Sequence, residues 1–328
     1  MKLAVLGAGA WGTAISISLA PRHAVTLWAR DAAAVAEMRA SRRNVRYLPD
    51  SPIPAGVAIV PTLDEALAGS ELALVATTTA ALRETLRGVA VCAARPPVVW
   101  LCKGFEVASS RLPHEIARDE LPATMPCGAL SGPSFAQEIA RGLPAALTLA
   151  STDGEFAARA ARELHGPALR VYSSDDLTGV EVAGAVKNVM AIAAGISDGL
   201  GLGANARAAL VTRGLAEVTR LGLKLGGRIE TFMGLAGVGD LLLTCTGDLS
   251  RNRRVGLALA RGDGLDAVLR ELGHVAEGVY TARAVSRIAT ALGIEMPITR
   301  AVCRILDEGV PAREAVQELL RRDPRSEY

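Results

Sequence analysis

Short runs of consecutive apolar residues alternate with helix-like stretches through the first half of the chain. The runs are KLAVLG, AVTLW, VAIV, ELALVA, PVVWLC, CGALSG and AALTLA, each bounded by glycine, proline or charge. Helix-like stretches such as AWGTAISISLA, which ends at Pro21, lie between them. Strands that alternate with helices predict an α/β fold with a doubly wound, mostly parallel sheet. Because the strands are apolar throughout, we expect helices to cover both faces of this sheet.

Helical patterns then follow one another through the second half of the chain. They cover residues 179–197, 204–222, 251–261, 278–292, 297–308 and 311–320, and no convincing strand pattern interrupts them. Thr178 and Glu181 have capping-box spacing at the start of the first of these helices. We therefore predict an α/β domain over residues 1–176 and an all-α domain over residues 177–328.

The first predicted strand leads into a glycine-rich loop. Gly7, Gly9 and Gly12 follow the pattern G-x-G-x-x-G directly after the strand and at the opening of a helix. In this context Gly7 permits the tight turn, Gly9 lets a pyrophosphate approach the backbone, and Gly12 lets helix and strand pack closely. The pattern predicts a Rossmann-type dinucleotide-binding domain, although glycines in an ordinary turn remain the alternative interpretation.

The end of the second predicted strand bears on the choice of nucleotide. Arg30 and Asp31 follow this strand in immediate succession. An acidic residue here would bind the ribose hydroxyls of NAD, whereas an arginine suits the 2′-phosphate of NADP. Because Arg30 comes first, we expect NADP to be preferred and NAD to remain usable, unless Arg30 is only a solvated charge.

Composition and charge exclude several other classes of protein. Among 328 residues half are hydrophobic and the formal net charge is only +2, so no broad basic face for nucleic acid is indicated. No run reaches the roughly 18 uncharged apolar residues of a membrane span. The five cysteines show no paired spacing and no metal cluster is visible. These features predict a cytoplasmic protein without a metal cofactor.

Only four of the 36 basic residues are lysines, and two of these lie in apolar surroundings. Lys103 follows a buried strand, where the carboxyl edge of a parallel sheet faces a ligand crevice, with a rim lysine that extends to water as the alternative. Lys187 interrupts the apolar helix 179–197 and shares its face with Ala183 and Ala191. Arginine cannot give up a proton, but a buried lysine can. Lys187 is therefore a candidate for acid–base chemistry, with a structural ion pair as the alternative.

A second group of polar residues follows a glycine-rich stretch further along the chain. Asp240 comes directly after Gly239 in the stretch MGLAGVGD, and Ser250 is placed as the N-cap of a helix that begins with Arg251 and Asn252. A helix N-terminus with a guanidinium and an amide can bind a phosphate monoester. Asp240 as a simple helix cap, and residues 251–254 as a solvated basic run, remain the alternatives.

Together these stretches carry a family resemblance. The segments GAGAWGTA, VTLWAR, LCKGFE, SGPSFAQEIA, GAVKNVMAIAAGISDGLGLGANARAAL, FMGLAGVGDLLLTCTGDLSRNRRVG and EGVYTARAV span nearly the whole chain. In this order they resemble the bacterial NAD(P)-dependent glycerol-3-phosphate dehydrogenases. The resemblance implies hydride transfer between NAD(P)H and dihydroxyacetone phosphate, which supplies sn-glycerol 3-phosphate for phospholipid synthesis. A homodimer is an expectation at the level of the family.

The resemblance also implies roles for individual residues. Lys187 falls on the position of the catalytic acid and base. The substrate positions are Lys103, Gly132, Ser134, Lys187, Asn188, Asp240, Ser250, Arg251 and Asn252. The cofactor positions are Gly7, Gly9, Ala10, Trp11, Gly12, Arg30, Lys103, Ala136, Arg251, Val275 and Glu277. One of these departs from the family: many relatives have serine at the position of Ala10, so a side-chain bond to the pyrophosphate is lost here.

Two other functions remain as alternatives at this point. One is another dehydrogenase with a Rossmann and a helical domain, of the 6-phosphogluconate or 3-hydroxyacyl-CoA type. The latter requires a His–Glu pair, and no histidine lies in a glycine-rich helical block of this sequence. The other is a non-catalytic nicotinamide-sensing module, which would have no use for Lys187.

Overall fold

The computed structural model describes residues 1–272 and 276–321, which form two compact units. The first unit comprises Met1–Glu106 and Arg111–Glu181. The second comprises Val107–Ser110 and the described residues from Val182 onward. The chain therefore leaves the first unit for four residues after Glu106, returns at Arg111, and leaves it again after Glu181.

An eight-stranded sheet forms the centre of the first unit. Its strands are β1 (Lys2–Leu6), β2 (Ala24–Trp28), β5 (Ala58–Val60), β6 (Leu72–Val75), β7 (Val98–Trp100), β8 (Cys127–Ser131), β9 (Ala145–Ala150) and β10 (Leu169–Ser174). They lie in the order β10-β9-β8-β7-β6-β1-β2-β5, and every pair is parallel except β8 with β9. The run from β5 to β8 has the strand order of a dinucleotide-binding sheet. The predicted fold class is thereby confirmed.

The connections of the first unit are mostly helical. Its helices are α1 (Ala10–Leu19), α2 (Ala32–Ser41), α3 (Leu63–Leu67), α4 (Thr79–Val91), α5 (Pro113–Glu120), α6 (Ala136–Ala140) and α7 (Gly154–Leu164). After α2 the chain forms a two-stranded antiparallel hairpin, β3 (Arg43–Asn44) and β4 (Leu48–Pro52). Neither this hairpin nor β10 stood out in the sequence, because both are partly exposed and lack a long apolar run.

Helices make up the second unit, and the residues described there contain no strand. They are α8 (Leu177–Gly199, which begins in the first unit), α9 (Gly203–Lys224), α10 (Ile229–Met233), α11 (Asp240–Thr246), α12 (Arg251–Ala260), α13 (Leu265–Leu272), α14 (Glu277–Ala291), α15 (Pro297–Asp307) and α16 (Ala312–Leu320). A π-helical turn, Leu235–Gly239, joins α10 to α11. The six helices predicted from periodicity are all present. The short helices α10, α11 and α13 were not predicted.

The start of α8 differs from the predicted capping box. The helix begins at Leu177, and the carboxylate of Asp176 accepts a hydrogen bond of 2.9 Å from the backbone N–H of Gly179. Glu181 does not reach back to the helix start. Its carboxylate instead accepts from the indole of Trp100 at 2.8 Å and contacts the ring of His114. The carboxylate of Glu181 is engaged by the buried indole of Trp100 and by the partly exposed imidazole of His114, so the capping-box prediction was wrong.

Nearly all residues of helix α8 are buried. By length and by a mean hydropathy of 1.4 it is the one described helix that could cross a membrane, and that apolar window is entirely buried inside the protein. Glycines let α12 pack directly against it. A Cβ added at Gly195 would lie 2.0 Å from the carbonyl oxygen of Arg253, and one at Gly256 would lie 2.0 Å from that of Ile192. This contact fixes α12 against the helix that carries Lys187.

The four-residue excursion of the chain is held by one arginine of the second unit. The guanidinium of Arg287, on α14, donates to the carbonyl of Val107 at 3.2 Å and to the hydroxyl of Ser110 at 2.7 Å. Ser110 has a left-handed backbone, with φ of 58°. Val107–Ser110 is therefore bonded to the helical unit through α14.

Candidate active site

The glycine-rich loop has the geometry that a dinucleotide requires. Gly7 has a φ of +114°, a backbone conformation that side chains rarely adopt. A Cβ at Gly12 would lie 1.9 Å from the carbonyl oxygen of Gly7, so α1 and the end of β1 can approach only without a side chain there. Gly9, by contrast, has nothing within 4 Å of an added Cβ. The loop is thus closed on the strand side and open at Gly9.

Helix α1 begins directly after this open position. Gly9 is its N-cap and supplies no side-chain cap, and Ala10 and Trp11 are the first helical residues. The backbone N–H groups of a first turn carry partial positive charge and bind anions such as phosphates. The loop and helix therefore fit the pyrophosphate of a nicotinamide dinucleotide. Ala10 supplies no hydroxyl, so only backbone donors serve this position.

Arg30 and Asp31, which follow β2, make different contacts. Asp31 caps α2, and its Oδ1 accepts from the backbone N–H groups of Ala33 and Ala34 at 2.9 and 3.3 Å. The side chain of Arg30 is 80% exposed and lies 3.8 Å from the equally exposed Glu84, a contact of little energetic consequence. The carboxylate is occupied by the helix start, whereas the guanidinium is accessible.

Three of the predicted substrate residues converge on one carbonyl group in the first unit. The ammonium of Lys103 donates to the carbonyl oxygen of Gly132 at 3.0 Å, and the hydroxyl of Ser134 donates to the same oxygen at 2.8 Å. Gly132 has a φ of +134°, a backbone conformation that residues with a side chain rarely adopt. Ala136, the first residue of α6, packs against the core of the same unit.

Lys187 lies at the centre of a buried polar cluster in the second unit. Its Nζ donates to Oδ1 of Asp240 at 2.7 Å and to Oγ1 of Thr244 at 2.7 Å. Lys187 and Asp240 are only 7% and 1% exposed. Thr244 in turn donates its own proton to the carbonyl of Asp240, one helical turn earlier. The ammonium is thus held by one carboxylate and one hydroxyl at fixed positions.

Asp240 owes its position to the π-helical turn before it. Leu235–Gly239 continues directly into α11, and Gly239 already has helical φ and ψ, so Asp240 lies inside one helical stretch from Leu235 to Thr246. A Cβ at Gly237 would lie 2.1 Å from the carbonyl oxygen of Phe232, so the turn can close this tightly only with glycine. The tight turn and α11 together place the carboxylate of Asp240 beside the ammonium of Lys187.

The beginning of α12 forms a third group, next to the Lys187 cluster along α8. Ser250 caps α12 by accepting from the backbone N–H of Arg253 at 3.2 Å, as predicted. The amide of Asn252 donates to Asn188 at 2.9 Å and accepts from the backbone N–H of Gly278 at 3.1 Å. Asn252 therefore ties the helix of Lys187 to the first turn of α14, which begins at Glu277.

The two arginines that flank Asn252 differ sharply. Arg253 is bonded to Asp198 at 2.8 Å and to Asp248 at 2.9 Å. Arg251 is exposed, and within residues 1–272 and 276–321 it has no ion-pair partner. Of this pair, Arg251 is the guanidinium that can bind an incoming anion. Val275, predicted to contact the cofactor, lies outside the described residues.

The comparisons with known proteins agree along the whole chain. Residues 2–157 match the N-terminal part, and residues 176–317 the C-terminal part, of NAD-dependent glycerol-3-phosphate dehydrogenase. The chain belongs to this family. It is 61% identical to glycerol-3-phosphate dehydrogenase NAD(P)+ of Nitrosospira multiformis, covering 100% of this chain and 99% of that one. It is 60% identical to the corresponding enzyme of Thiobacillus denitrificans, with both chains covered completely.

A solved structure shows the same likeness in three dimensions. The crystal structure of glycerol-3-phosphate dehydrogenase from Coxiella burnetii superposes with a TM-score of 0.93 at 44% identity, covering 98% of this chain and 99% of that one. As a member of the glycerol-3-phosphate dehydrogenase family, the chain is an NAD(P)-dependent oxidoreductase that acts on a CH–OH group. The 6-phosphogluconate, 3-hydroxyacyl-CoA and nicotinamide-sensing alternatives are not supported.

One member of the Lys187 cluster was missed in the sequence. Thr244 was not singled out, although it lies four residues after Asp240 and so shares its helical face. The spacing D-x-x-x-T is common, and it becomes informative only once Asp240 is placed beside Lys187. Cys245, the next residue, is also near the cluster, but burial raises the pKa of its thiol to about 12. A thiolate nucleophile is therefore not available at this position.

Proposed function

We propose that this glycerol-3-phosphate dehydrogenase uses Lys187 to protonate the C2 oxygen of dihydroxyacetone phosphate and to deprotonate it in the reverse reaction. The single observation that carries the proposal is the buried contact of Lys187 with Asp240 and Thr244. These two bonds hold the ammonium of Lys187 in a defined orientation within a buried cluster. A general acid in such a position typically contributes about 10²–10⁴-fold in rate.

The partners of Lys187 orient its ammonium group and offset the cost of burying its charge. An unpaired buried ammonium costs several kcal/mol, and the carboxylate of Asp240 offsets that cost. Thr244 limits rotation of the Nζ, because its hydroxyl is itself fixed by the helix carbonyl of Asp240. When the proton leaves, the neutral amine keeps both neighbours, which allows it to be reprotonated in place. We assign Lys187 as the catalytic residue and Asp240 and Thr244 as the groups that orient it.

The cofactor is assigned to the glycine-rich loop of the first unit. A bound nicotinamide dinucleotide supplies the hydride that C2 receives. Backbone donors of Gly9, Ala10 and Trp11 would bind its pyrophosphate, as the open space at Gly9 allows. Because Asp31 is occupied as a helix cap while Arg30 is accessible, we assign a preference for NADP over NAD. We also assign four further residues to the cofactor site: Gly12, Lys103, Ala136 and Glu277.

The phosphate of the substrate is assigned to the start of α12. Arg251 offers an exposed guanidinium at a helix N-terminus whose cap, Ser250, is already in place. Each charged hydrogen bond to a phosphate contributes about 1.5–3 kcal/mol. We assign four further residues to the substrate site: Gly132, Ser134, Asn188 and Asn252. The product, glycerol 3-phosphate, would serve phospholipid synthesis in the cytoplasm, and we assign a homodimer as the functional state.

Oxidation of NADPH and then of NADH by the purified protein tests the function. Absorbance of the reduced nucleotide should fall only when dihydroxyacetone phosphate is added, and kcat/KM should be higher with NADPH. Turnover that is equal without the ketone, or absent with it, would contradict the assignment. Higher kcat/KM with NADH would overturn the NADP preference alone.

Two arginine variants test the phosphate assignment. Arg251→Ala should raise the KM for dihydroxyacetone phosphate about tenfold or more, by loss of a charged hydrogen bond. Arg254→Ala is the matched control, because Arg254 is exposed on the same turn of α12. An equal effect of both substitutions would mean that net charge, rather than a specific contact, attracts the substrate.

A further inference from the structure

A buried asparagine connects the hairpin of the first unit to the glycine-rich loop. Asn44 lies in β3 and is 4% exposed. Its Nδ2 donates to the carbonyl oxygen of Ala8 at 2.8 Å and to Oγ1 of Thr13 at 2.8 Å. Its Oδ1 accepts from the backbone N–H of Tyr47 at 3.3 Å. Both ends of the amide are therefore used, one on the loop and one on the hairpin itself.

The contact with Ala8 fixes the orientation of a peptide group in the loop. Ala8 lies between Gly7 and Gly9, and its carbonyl shares one planar trans peptide with the N–H of Gly9. The two groups of such a peptide point in opposite directions. Because Asn44 attracts the carbonyl, the N–H of Gly9 is directed away from the hairpin. Glycine at both neighbouring positions would otherwise let this peptide rotate at little cost.

The contact with Thr13 joins the same loop to its helix. Thr13 is completely buried in the first turn of α1, and its backbone N–H donates to the carbonyl of Gly9 at 3.0 Å. A single amide thus bonds the peptide before Gly9 and the first turn after it. An anion site made of backbone N–H groups depends on the alignment of these two segments, because a misdirected donor contributes little.

We propose that Asn44 is a positioning residue for the cofactor, one that holds the Ala8–Gly9 peptide with its N–H directed to the pyrophosphate. The role rests on the dinucleotide site assigned above and adds a residue outside the glycine motif to it. Asn44 acts through the loop and contacts no reacting atom. Its loss should therefore weaken binding of the whole dinucleotide and leave the proton chemistry of Lys187 intact.

Fluorescence titration with NADPH, which requires no turnover, tests this role. Asn44→Ala removes the amide, and the Kd for NADPH should rise about tenfold because one hydrogen bond to the loop and one to the first turn of α1 are lost. At saturating NADPH, kcat and the KM for dihydroxyacetone phosphate should stay within about twofold of the unmodified enzyme. Asn44→Asp keeps the size and the acceptor for Tyr47 but presents a carboxylate to the Ala8 carbonyl, so its Kd should rise at least as much.

Ser41→Ala is the control for a purely structural role of the hairpin. The exposed hydroxyl of Ser41 bonds to Glu37 and Arg43 at the entrance to the same hairpin, without contact to the loop. It should leave the Kd for NADPH unchanged, even if it lowers the unfolding temperature. A Kd of Asn44→Ala and Asn44→Asp within about twofold of the unmodified protein overturns the inference. If the unmodified protein itself fails to bind NADPH, the dinucleotide site is refuted instead.

Discussion

Replacing Lys187 by arginine separates positive charge from proton transfer. In the structure the Nζ lies 2.7 Å from both Asp240 and Thr244, so a guanidinium at this position keeps an ion pair with the same carboxylate. Arginine has a pKa above 12 and holds its proton at all working pH values. The substitution therefore retains the electrostatic attraction and abolishes the acid–base function.

The expected loss follows from these two effects. A missing general acid reduces kcat by about 10²–10⁴-fold, which corresponds to about 3–5 kcal/mol in the activation free energy. The larger side chain must also fit between buried residues, and overpacking costs about 1–3 kcal/mol of folding free energy. The second effect lowers the unfolding temperature by several degrees, but it does not lower kcat of the protein that remains folded.

Steady-state reduction of dihydroxyacetone phosphate should be measured together with NADPH binding and thermal unfolding. Lys187→Arg should bind NADPH with an unchanged Kd, because the glycine-rich loop is untouched. Lys224→Arg makes the same chemical change at an exposed position near the end of α9 and should leave kcat unchanged. A kcat of Lys187→Arg within about tenfold of the unmodified enzyme would refute the proton-transfer role.

Three further predictions concern the cofactor loop and the stability of each unit. Gly12→Ala should raise the Kd for NADPH about tenfold or more, since the new Cβ would meet the carbonyl of Gly7 at 1.9 Å; unchanged fluorescence titration would contradict this. Burial by itself lowers the pKa of His114, but the hydrogen bond and charge of Glu181 raise it above its ordinary value. The stabilisation that the charged His114 gains from Glu181 is complete below about pH 6.5 and is lost as pH rises through the folded-state pKa. The unfolding temperature should therefore fall more steeply above this pH in the unmodified protein than in His114→Gln. Parallel curves for the two proteins would refute this role of His114. Glu217→Ala should lower the free energy of unfolding by about 3 kcal/mol in chemical denaturation, because two buried N–H groups at the start of α15 lose their acceptor, and a loss below about 1 kcal/mol would refute that role.

The sequence predicted the elements whose signals are local. Continuous apolar runs indicated most strands of the sheet, and periodicity indicated six helices: α8, α9, α12, α14, α15 and α16. Ser250 was identified as an N-cap for the same reason, since a cap and its helix are adjacent in sequence. Family resemblance, rather than spacing, supplied most of the individual site residues.

Contacts between distant segments were not accessible in the same way. The partners of Glu181 are Trp100 and His114, which lie 81 and 67 residues away, so its capping-box spacing was misleading. Thr244 accepts a hydrogen bond from Lys187, which lies 57 residues earlier in the chain. Asn44 is 36 residues from the carbonyl that it holds. In each case one polar group finds a partner that only the folded chain brings near, and no local rule anticipates the choice.

The bonds between Arg287 and Val107–Ser110 limit how this protein can be cut into separately expressed fragments. A gene fragment that starts after Glu181 would encode nearly all of the helical unit but would omit Val107–Ser110. The guanidinium of Arg287 would then lose its two acceptors, the carbonyl of Val107 and the hydroxyl of Ser110. Dissection into two separately expressed pieces therefore breaks native bonds within one of them. A circular permutant, which retains every residue, keeps these bonds and is the more faithful way to change the order of the two units along the chain.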